Sequence, residues 1–308
     1  MRPWRISRGN VSLLRSGLGW ASLPDNETRC LGAGANSRAC TSPAPRLTVA
    51  AIQDLTSGKT GDLAPTKGID RAQMTREAVR RGAQLVVWSE ESLGGEFVPE
   101  DPKDETRTLA RQLKTPLVVG YSDDTRPLPF NCAAYIADNG DVLVPRHHKI
   151  HLYLAERQTN AVGHTTTVVL TAAGVLGLEI CFVSCYTHMT LGTVRRGAWL
   201  IAMLNYDPPT PRGVLHRLHS AMLPFRPVEN RVPFVRADSN GLSQIDGADG
   251  EIVARSPLFA PDVLVATVTL GGGQGTFFTW FGDWLACLCL ALVGINIFMA
   301  IVWKNIRN

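Results

Sequence analysis

The stretch Gly177-Leu178-Glu179-Ile180-Cys181-Phe182 decides the fold, because an apolar run ends there at a cysteine. The run Val175 to Ile180 has the length and composition of a buried strand, and the small and polar residues 184–188 end it. A cysteine directly after such a strand lies where backbone pairing stops and side chains can face a cleft. The stretch therefore predicts a strand that presents Cys181 at its carboxyl end.

Two further residues stand in the same relation to apolar runs. Glu90 follows Gln84-Leu85-Val86-Val87-Trp88, and Lys149 follows Asp141-Val142-Leu143-Val144. A glutamate can take the thiol proton, a lysine ammonium can stabilise an oxyanion, and a cysteine thiolate can attack a carbonyl carbon. One such residue is weak evidence, since cysteine is among the most buried residue types. All three in this order indicate acyl transfer through a thioester.

Apolar and amphipathic segments alternate along most of the chain. The predicted strands are 47–53, 84–88, 116–120, 131–137, 141–144, 175–180, 199–204, 234–237, 242–245, 251–255 and 263–270. The predicted helices are 69–82, 105–113, 189–196 and 214–223, the last ended or kinked by Pro224 and Pro227. Asn139-Gly140 and Asp249-Gly250 are tight-turn signals. This order predicts an α/β domain over residues 46–270, with a mixed sheet covered by helices.

Residues 1–45 lack periodicity and are rich in Arg, Ser, Gly and Asn. No apolar stretch there reaches the length of a secretory signal, which favours a disordered leader or a start codon placed too early over a targeting peptide. Small net charge (+4) and the concentration of arginines in this region give no reason to expect nucleic acid as a partner.

The C-terminal part predicts a membrane anchor. Residues 271–283 form a glycine-rich linker and an aromatic, interfacial segment. Residues 284–303 are apolar except for Asn296, and a run of about 20 such residues spans a bilayer core. Lys304 and Arg307 favour a cytoplasmic C terminus, which puts the catalytic domain on the outer face of the cell membrane. The lack of an export signal argues for the opposite orientation.

Cysteine and histidine usage predicts neither a disulfide scaffold nor a metal site, and no cofactor is expected. The seven cysteines include no C-x-x-C pair. His147, His148 and His151 are interpreted as solvated or cleft-edge residues. Arg195-Arg196 is interpreted only as a helix end that favours cations.

The order of these motifs resembles the nitrilase (carbon–nitrogen hydrolase) superfamily, and within it the apolipoprotein N-acyltransferase branch. Leu85–Glu91 is similar to a strand ending in Trp-Pro-Glu, and Ile180-Cys181-Phe182 to Ile-Cys-Tyr. His148–Leu152 with Glu156 resembles a Lys-x-His-Leu segment and a second glutamate. Further segments that match in order are Arg196–Leu200, Asn205–Asp207, Glu229–Pro233, Arg236-Ala237, Asn240-Gly241 and Thr276–Trp284.

The resemblance implies a four-layer αββα sandwich followed by one transmembrane helix. It implies Cys181 as nucleophile, Glu90 as general base and Lys149 as oxyanion stabiliser. Glu156 would be a supporting carboxylate, and the backbone N–H of Phe182 the second oxyanion donor. The implied partners are membrane lipid, a phospholipid acyl donor and a lipoprotein whose N-terminal amine accepts the acyl group.

Several positions depart from the family pattern. Ser89 replaces the proline before the first glutamate, which leaves Glu91 as a rival to Glu90. Val183 replaces an acidic residue, and Thr187-His188 replaces a Pro-Glu pair. The sequence contains no N-terminal membrane bundle, so a separate multi-span protein would have to supply it. An amidase-type hydrolase and a non-catalytic nitrilase-fold binding module therefore stay open as alternatives.

Overall fold

The computed structural model describes residues 44–55, 70–125, 127–208, 212–271 and 275–307. The predicted leader, apart from its last two residues, lies outside the described residues. The same holds for Cys30, Cys40 and most of the glycine-rich linker.

Two six-stranded sheets form the domain. The strands of the first sheet are β1 (Arg46–Gln53), β2 (Leu85–Val87), β3 (Leu117–Asp123), β4 (Phe130–Ile136), β5 (His147–His148) and β12 (Asp262–Thr269). Their spatial order is β12-β1-β2-β3-β4-β5. The strands of the second sheet are β6 (Thr167–Thr171), β7 (Gly174–Ile180), β8 (Leu200–Tyr206), β9 (Phe234–Ser239), β10 (Gln244–Asp246) and β11 (Ile252–Arg255). Their spatial order is β11-β10-β9-β8-β7-β6.

The described residues contain seven α-helices. They are α1 (Arg71–Arg80), α2 (Glu105–Leu113), α3 (Thr187–Arg195), α4 (Val214–Met222), α5 (Phe225–Asn230), α6 (Phe277–Phe281) and α7 (Trp284–Arg307). Asp70 and Asp104 cap the first two helices by accepting hydrogen bonds from backbone N–H groups of the first turn. The predicted break at Pro224 separates α4 from α5.

Three apolar clusters give the four layers predicted from the resemblance. The central cluster lies between the sheets and joins residues such as Val49 and Val87 of the first to Leu178 and Leu204 of the second. A second cluster packs α1 and α2 on the outer face of the first sheet. A third packs Met189 of α3 and its neighbours on the outer face of the second sheet. The αββα sandwich is therefore confirmed.

The parallel strands at the centre of each sheet determine where a site can form. β1, β2 and β3 pair in parallel, as do β7, β8 and β9. Their carboxyl ends leave polar side chains and unpaired backbone at one edge, where sites of α/β proteins form. The segments after β2, β7 and β8 meet at this edge.

One predicted strand is wrong. Asp141–Val144 forms only a single bridge, between Ile136 and Val142, after the predicted turn at Gly140. On the side of β4 that does not face β3, the paired strand is instead the two-residue β5, in which His148 lies opposite Cys132. The apolar side chains of 141–144 had suggested a strand, but Pro145 and the exposed Val144 end the segment early.

The C-terminal helix α7 has 24 residues and is long and apolar enough to cross a membrane by length and composition. None of its apolar window is buried within the protein. The preceding α6 is attached to the domain by Arg195, whose guanidinium donates to the carbonyl oxygens of Thr279 and Trp280 at 2.9 and 3.1 Å. Arg195 thus has a contact that its position at a helix end did not predict.

Candidate active site

A buried cluster of one ammonium and two carboxyl groups lies at the edge where the parallel strands end. Lys149 Nζ is 2.7 Å from Glu90 Oε1 and 2.7 Å from Glu156 Oε2. The Lys149 and Glu90 side chains are almost fully buried, and Glu156 is 8% exposed. Buried charges are tolerated when they are paired and hydrogen-bonded in this way. Two of the predicted residues and the supporting carboxylate are therefore in direct contact.

Glu90 is held by residues from both sheets. Asn131 on β4 donates to Glu90 Oε1 at 2.6 Å. The Glu90 backbone N–H donates to the Asn205 carbonyl oxygen on β8 at 3.3 Å. The preceding Ser89 donates to the buried Asp54 at 2.7 Å, which anchors the turn that carries Glu90. The rival Glu91 has a positive φ of 48° and is less buried, so the geometry favours Glu90.

Lys149 and Glu156 are positioned by short local elements. The Lys149 backbone N–H donates to the Asn131 carbonyl oxygen at 2.8 Å, directly after β5. Asn131 therefore holds the backbone of Lys149 and the side chain of Glu90 together. Glu156 lies in the 3-10 helix Leu154–Gln158, and its Oε2 accepts from the Tyr153 N–H at 2.8 Å.

Cys181 follows the last residue of β7, as the apolar run predicted, and is the first residue of the 3-10 helix Cys181–Cys185. Its φ of 53° is in the left-handed region, which costs energy for a non-glycine residue and occurs often at functional sites. The sulfur is 3.8 Å from the Tyr206 carbonyl oxygen at the end of β8, and the residue is 8% exposed. The sulfur of Cys181 and the backbone of Glu90 thus contact consecutive residues, Tyr206 and Asn205.

Phe182, whose N–H was predicted as an oxyanion donor, follows Cys181 in the 3-10 helix. Its half-buried ring makes edge contacts with the rings of Tyr153 and Tyr186, at centroid distances of 5.9 and 5.5 Å. Through Tyr153, which caps the 3-10 helix Leu154–Gln158, the Phe182 ring is in contact with the segment that carries Glu156. The role of the Phe182 N–H stays a prediction.

A second polar network lies directly beside Cys181, and sequence reasoning missed its central residue. His219 on α4 is 2.9 Å from Asp207 Oδ1 through Nδ1 and 3.0 Å from Ser184 Oγ through Nε2. Arg236 contacts Asp207 Oδ2 at 3.0 Å and Asp238 Oδ2 at 2.6 Å. Ser184 Oγ also lies 3.3 Å from the Cys181 carbonyl oxygen. Asp207 and Arg236 carried the family resemblance, but no local pattern singled out His219.

Burial and neighbouring charges shift the pKa values of the groups in this network, some downwards and some upwards. Burial raises the pKa of Asp207, but the hydrogen bond from His219 and the charge of Arg236 outweigh it, so the pKa lies below its usual range. Burial and then the charge of Arg236 lower the pKa of His219, against the opposing effect of Asp207. Burial and the nearby Asp207 charge raise the pKa of Asp238. At neutral pH His219 is therefore a neutral imidazole beside an ionised Asp207.

One of the three clustered histidines, His147, differs from the solvated or cleft-edge interpretation. His147 is fully buried against Thr167, and burial followed by the charge of His148 lowers its pKa to about 3. His148 stacks on Phe130 with ring centroids 4.3 Å apart. His151 stacks on Tyr186 at 4.0 Å. The interpretation is wrong for His147, whose ring fills space behind β5.

Asp123, Cys132 and His148 bring potential ligand atoms within 4.8 Å of one another. They lie on one face of β3, β4 and β5. Burial raises the pKa of the Cys132 thiol to about 12, against the opposing charge of Arg146. The hydrogen bond from Thr125 is the main cause that lowers the pKa of Asp123, and the charge of Arg146 lowers it further. A buried neutral thiol beside a guanidinium is a poor cation ligand.

Comparison with known proteins shows which families and proteins this chain is similar to. The family model described as carbon–nitrogen hydrolase matches residues 48–276. An apolipoprotein N-acyltransferase of Geobacter metallireducens is 30% identical over 261 residues, which cover 77% of this chain and 50% of that protein. Apolipoprotein N-acyltransferase 1 of Treponema denticola is 33% identical over 134 residues, which cover 43% of this chain and 25% of that protein.

Solved structures show the same fold at lower identity. An amidase from Nesterenkonia sp. superimposes with a TM-score of 0.61 at 19% identity, covering 77% of this chain and 96% of the amidase. The chain therefore spans about half the length of the Geobacter acyltransferase and nearly all of the amidase.

Proposed function

This chain belongs to the carbon–nitrogen hydrolase (nitrilase) family, and from that premise we propose that it is a membrane-anchored acyltransferase working through a thioester at Cys181. One observation carries the proposal. The Cys181 sulfur and the Glu90 backbone contact the consecutive carbonyl oxygens of Tyr206 and Asn205, while Glu90 pairs with Lys149. The Cys181 sulfur and the Glu90 backbone thus meet the same end of β8, which supports a shared role for Cys181, Glu90 and Lys149.

The first half-reaction forms the thioester. Glu90 takes the thiol proton, and the sulfur attacks the carbonyl carbon of an ester. The carbonyl electrons move to oxygen, where Lys149 and the Phe182 N–H stabilise the oxyanion. When the oxyanion collapses, the ester C–O bond breaks and the departing alkoxide takes the proton from Glu90. The acyl group remains on Cys181.

The second half-reaction transfers the acyl group. An amine attacks the thioester carbonyl, and Glu90 takes one amine proton. The C–S bond then breaks, an amide forms, and Glu90 returns the proton to sulfur. Glu156, which shares the Lys149 ammonium with Glu90, supports the charge balance throughout.

Relatives named apolipoprotein N-acyltransferase support a phospholipid as acyl donor and the N-terminal amine of a lipoprotein as acceptor. The helix α7 supports a single-pass location in the cell membrane. Lys304 and Arg307 follow its apolar part, which favours the catalytic domain on the outer face. In this proposal a separate multi-span membrane protein is a further candidate partner.

A hydrolytic alternative has its own support. The described domain superimposes on 96% of an amidase but aligns with only half of the acyltransferase. The same Cys181 thioester would then be attacked by water, and Glu90 would take the proton from that water. The two functions differ only in what ends the thioester.

The test is intact-mass spectrometry of the full-length protein in detergent after incubation with phospholipid. We expect one acyl adduct that hydroxylamine removes, and its loss in Cys181→Ala. Cys185→Ala is the matched control, because Cys185 lies in the same 3-10 helix and should leave the adduct unchanged. A Cys181→Ala protein that keeps the adduct would overturn the proposal.

A second measurement separates transfer from hydrolysis. The preformed adduct is followed with and without a peptide that has a free N-terminal amine. Acyl transfer predicts that the adduct persists in buffer and decays when the peptide is added, with the acyl group recovered as an amide. An adduct that decays equally fast in buffer alone indicates the amidase-type hydrolase.

A further inference from the structure

The network of Ser184, His219 and Asp207 has the connectivity of a serine–histidine–aspartate triad, yet it does not supply a second nucleophile. Ser184 is 1% exposed, and its hydroxyl lies 3.3 Å from the Cys181 carbonyl oxygen. Its oxygen is instead occupied by two protein partners, the His219 ring and the Cys181 carbonyl oxygen. The function of the network must therefore act through its protein neighbours.

The proton positions in the network follow from its charges. Asp207 is ionised, so the His219 nitrogen 2.9 Å from it, Nδ1, carries the proton and donates. Nε2 is then an acceptor, and the single Ser184 hydroxyl proton is shared between Nε2 at 3.0 Å and the Cys181 carbonyl oxygen at 3.3 Å. Arg236 also approaches Nδ1, at 3.3 Å, but it binds Asp207 and Asp238 at shorter distances. The imidazole is thus fixed in one orientation between Asp207 and Ser184.

The peptide unit that Ser184 touches links Cys181 to Phe182. A trans peptide is planar, and its carbonyl and N–H point in opposite directions. The position of the Cys181 carbonyl oxygen beside Ser184 Oγ therefore determines where the Phe182 N–H points. Cys181 has a left-handed φ of 53°, a conformation that persists only when its surroundings hold it.

From this geometry we propose that Ser184, His219 and Asp207 are positioning residues that hold the Cys181–Phe182 peptide so that its N–H faces the oxyanion. The inference rests on the proposed function, because it assigns a task within the thioester chemistry. Asp207 orients His219, His219 holds the Ser184 hydroxyl, and Ser184 donates to the carbonyl oxygen of the peptide. At the buried end of this series of contacts, the charge of Arg236 favours the ionised form of Asp207.

Two reactions of the same sulfur separate this role from general support of the fold. Acylation by an ester passes through a tetrahedral oxyanion, so it needs the Phe182 N–H. Alkylation by iodoacetamide is a direct displacement at a saturated carbon and forms no oxyanion. A positioning role therefore predicts that the first reaction slows while the second does not.

The experiment compares the full-length protein with Ser184→Ala and His219→Asn. Asparagine can still donate to Asp207 but is too short to reach Ser184. We expect each variant to lower the rate of Cys181 acylation by a p-nitrophenyl acyl ester by about tenfold to a hundredfold, part of the effect of removing an oxyanion donor. We expect the rate of Cys181 alkylation, followed by peptide mass spectrometry, to stay within about twofold.

Two further variants sharpen the test. His219→Gln places an amide oxygen near the position of Nε2 and should restore most of the acylation rate. Ser220→Ala is the matched control, because Ser220 is the next residue on α4, is equally buried and bonds to Gln244 instead. It should leave both rates unchanged. The double variant Ser184→Ala/His219→Asn should be no slower than the slower single variant, since both break the same link.

Each outcome decides something. Equal acylation rates in the wild type and in Ser184→Ala overturn the positioning role. Parallel losses of acylation and alkylation also overturn it, since they indicate a disturbed fold. A wild-type Cys181 that is neither acylated nor alkylated faster than Cys185 removes the proposed function itself, and the inference with it.

Discussion

Lys149 Nζ lies 2.7 Å from Glu90 Oε1, with both side chains at most 1% exposed. Glu156 approaches the same ammonium at 2.7 Å. In a medium of low dielectric constant such a cluster depends on its cation, because removing the cation leaves two carboxyl groups facing each other. The proposed catalytic site is thus also a point on which the stability of the fold depends.

Lys149→Met should destabilise the protein by about 3–5 kcal/mol, the usual cost of breaking a buried ion pair. The measurement is the free energy of unfolding from urea titration. Arg80→Ala is the control, because Arg80 pairs with Glu77 at the surface with 70% of its side chain exposed. A surface pair contributes only about 0–1 kcal/mol. Equal stability of Lys149→Met and the wild type would show that the fold does not depend on the Lys149 ammonium.

Glu90→Gln should slow Cys181 acylation by about a hundredfold to ten-thousandfold, the usual contribution of a general base. Glutamine preserves the shape of the side chain but cannot take a proton. The measurement is the rate of adduct formation by intact mass at neutral pH. Glu91→Gln is the matched control and should react at the wild-type rate, since Glu91 is less buried and follows the base in the turn. A larger effect at Glu91 would exchange the two roles.

The sequence was sufficient for features that depend on neighbouring residues. The apolar run before Cys181 became β7, and 105–113 became α2 with the predicted bounds. Hydrophobic periodicity and caps act within a few residues, so they can be read from the chain. Lys149 was singled out for a partly wrong reason. The strand expected before it, 141–144, forms only a single bridge, and the strand that directly precedes Lys149 is β5.

Features that depend on distant residues could not be predicted in this way. Ser184 and His219 are 35 positions apart and meet only because α4 packs beside the 3-10 helix that follows Cys181. The strand β6 was also missed, although its Thr-Val-Val-Leu-Thr sequence favours a strand locally; its pairing with β7 is a feature of the folded sheet. His147 looked like one of several solvated histidines, and only the packing of β5 against Thr167 shows that it is buried.

The burial of His147 should make the stability of the protein depend on pH. Its pKa is about 3 in the folded state because of burial, against about 6.5 for an unfolded chain. The unfolded state therefore binds the proton first. The contribution of His147 is fully present above about pH 6.5 and is lost as the pH falls towards 3, by at most about 1.4 kcal/mol per pH unit.

This dependence is measured as the free energy of unfolding between pH 4 and 8 in the wild type and in His147→Gln. Other depressed groups, such as Asp207 and His219, contribute to both proteins, so the difference between them isolates His147. The variant should lose less stability on acidification. His164→Gln, at an exposed position, is the control and should keep the wild-type slope. Parallel curves for His147→Gln and the wild type would show that the ring is protonated without cost.

Gly120→Ala should disturb the site through the backbone. A Cβ atom at Gly120 on β3 would lie 2.5 Å from the Glu91 nitrogen and 2.7 Å from the Ser89 carbonyl oxygen. These are main-chain atoms of the turn that carries Glu90, and they cannot rotate away as a side chain can. The turn must therefore move, and Glu90 would leave its place beside Lys149.

We expect Gly120→Ala to lose about 1–3 kcal/mol of stability, as overpacked sites do, and to slow Cys181 acylation more than tenfold. The measurements are urea unfolding and the rate of adduct formation. Gly192→Ala on α3 is the matched control, because its nearest neighbour would be a Thr166 methyl carbon at 3.4 Å and alanine favours the helix. If Gly120→Ala forms the adduct at the wild-type rate, the close approach of β3 to this turn does not determine the position of the base.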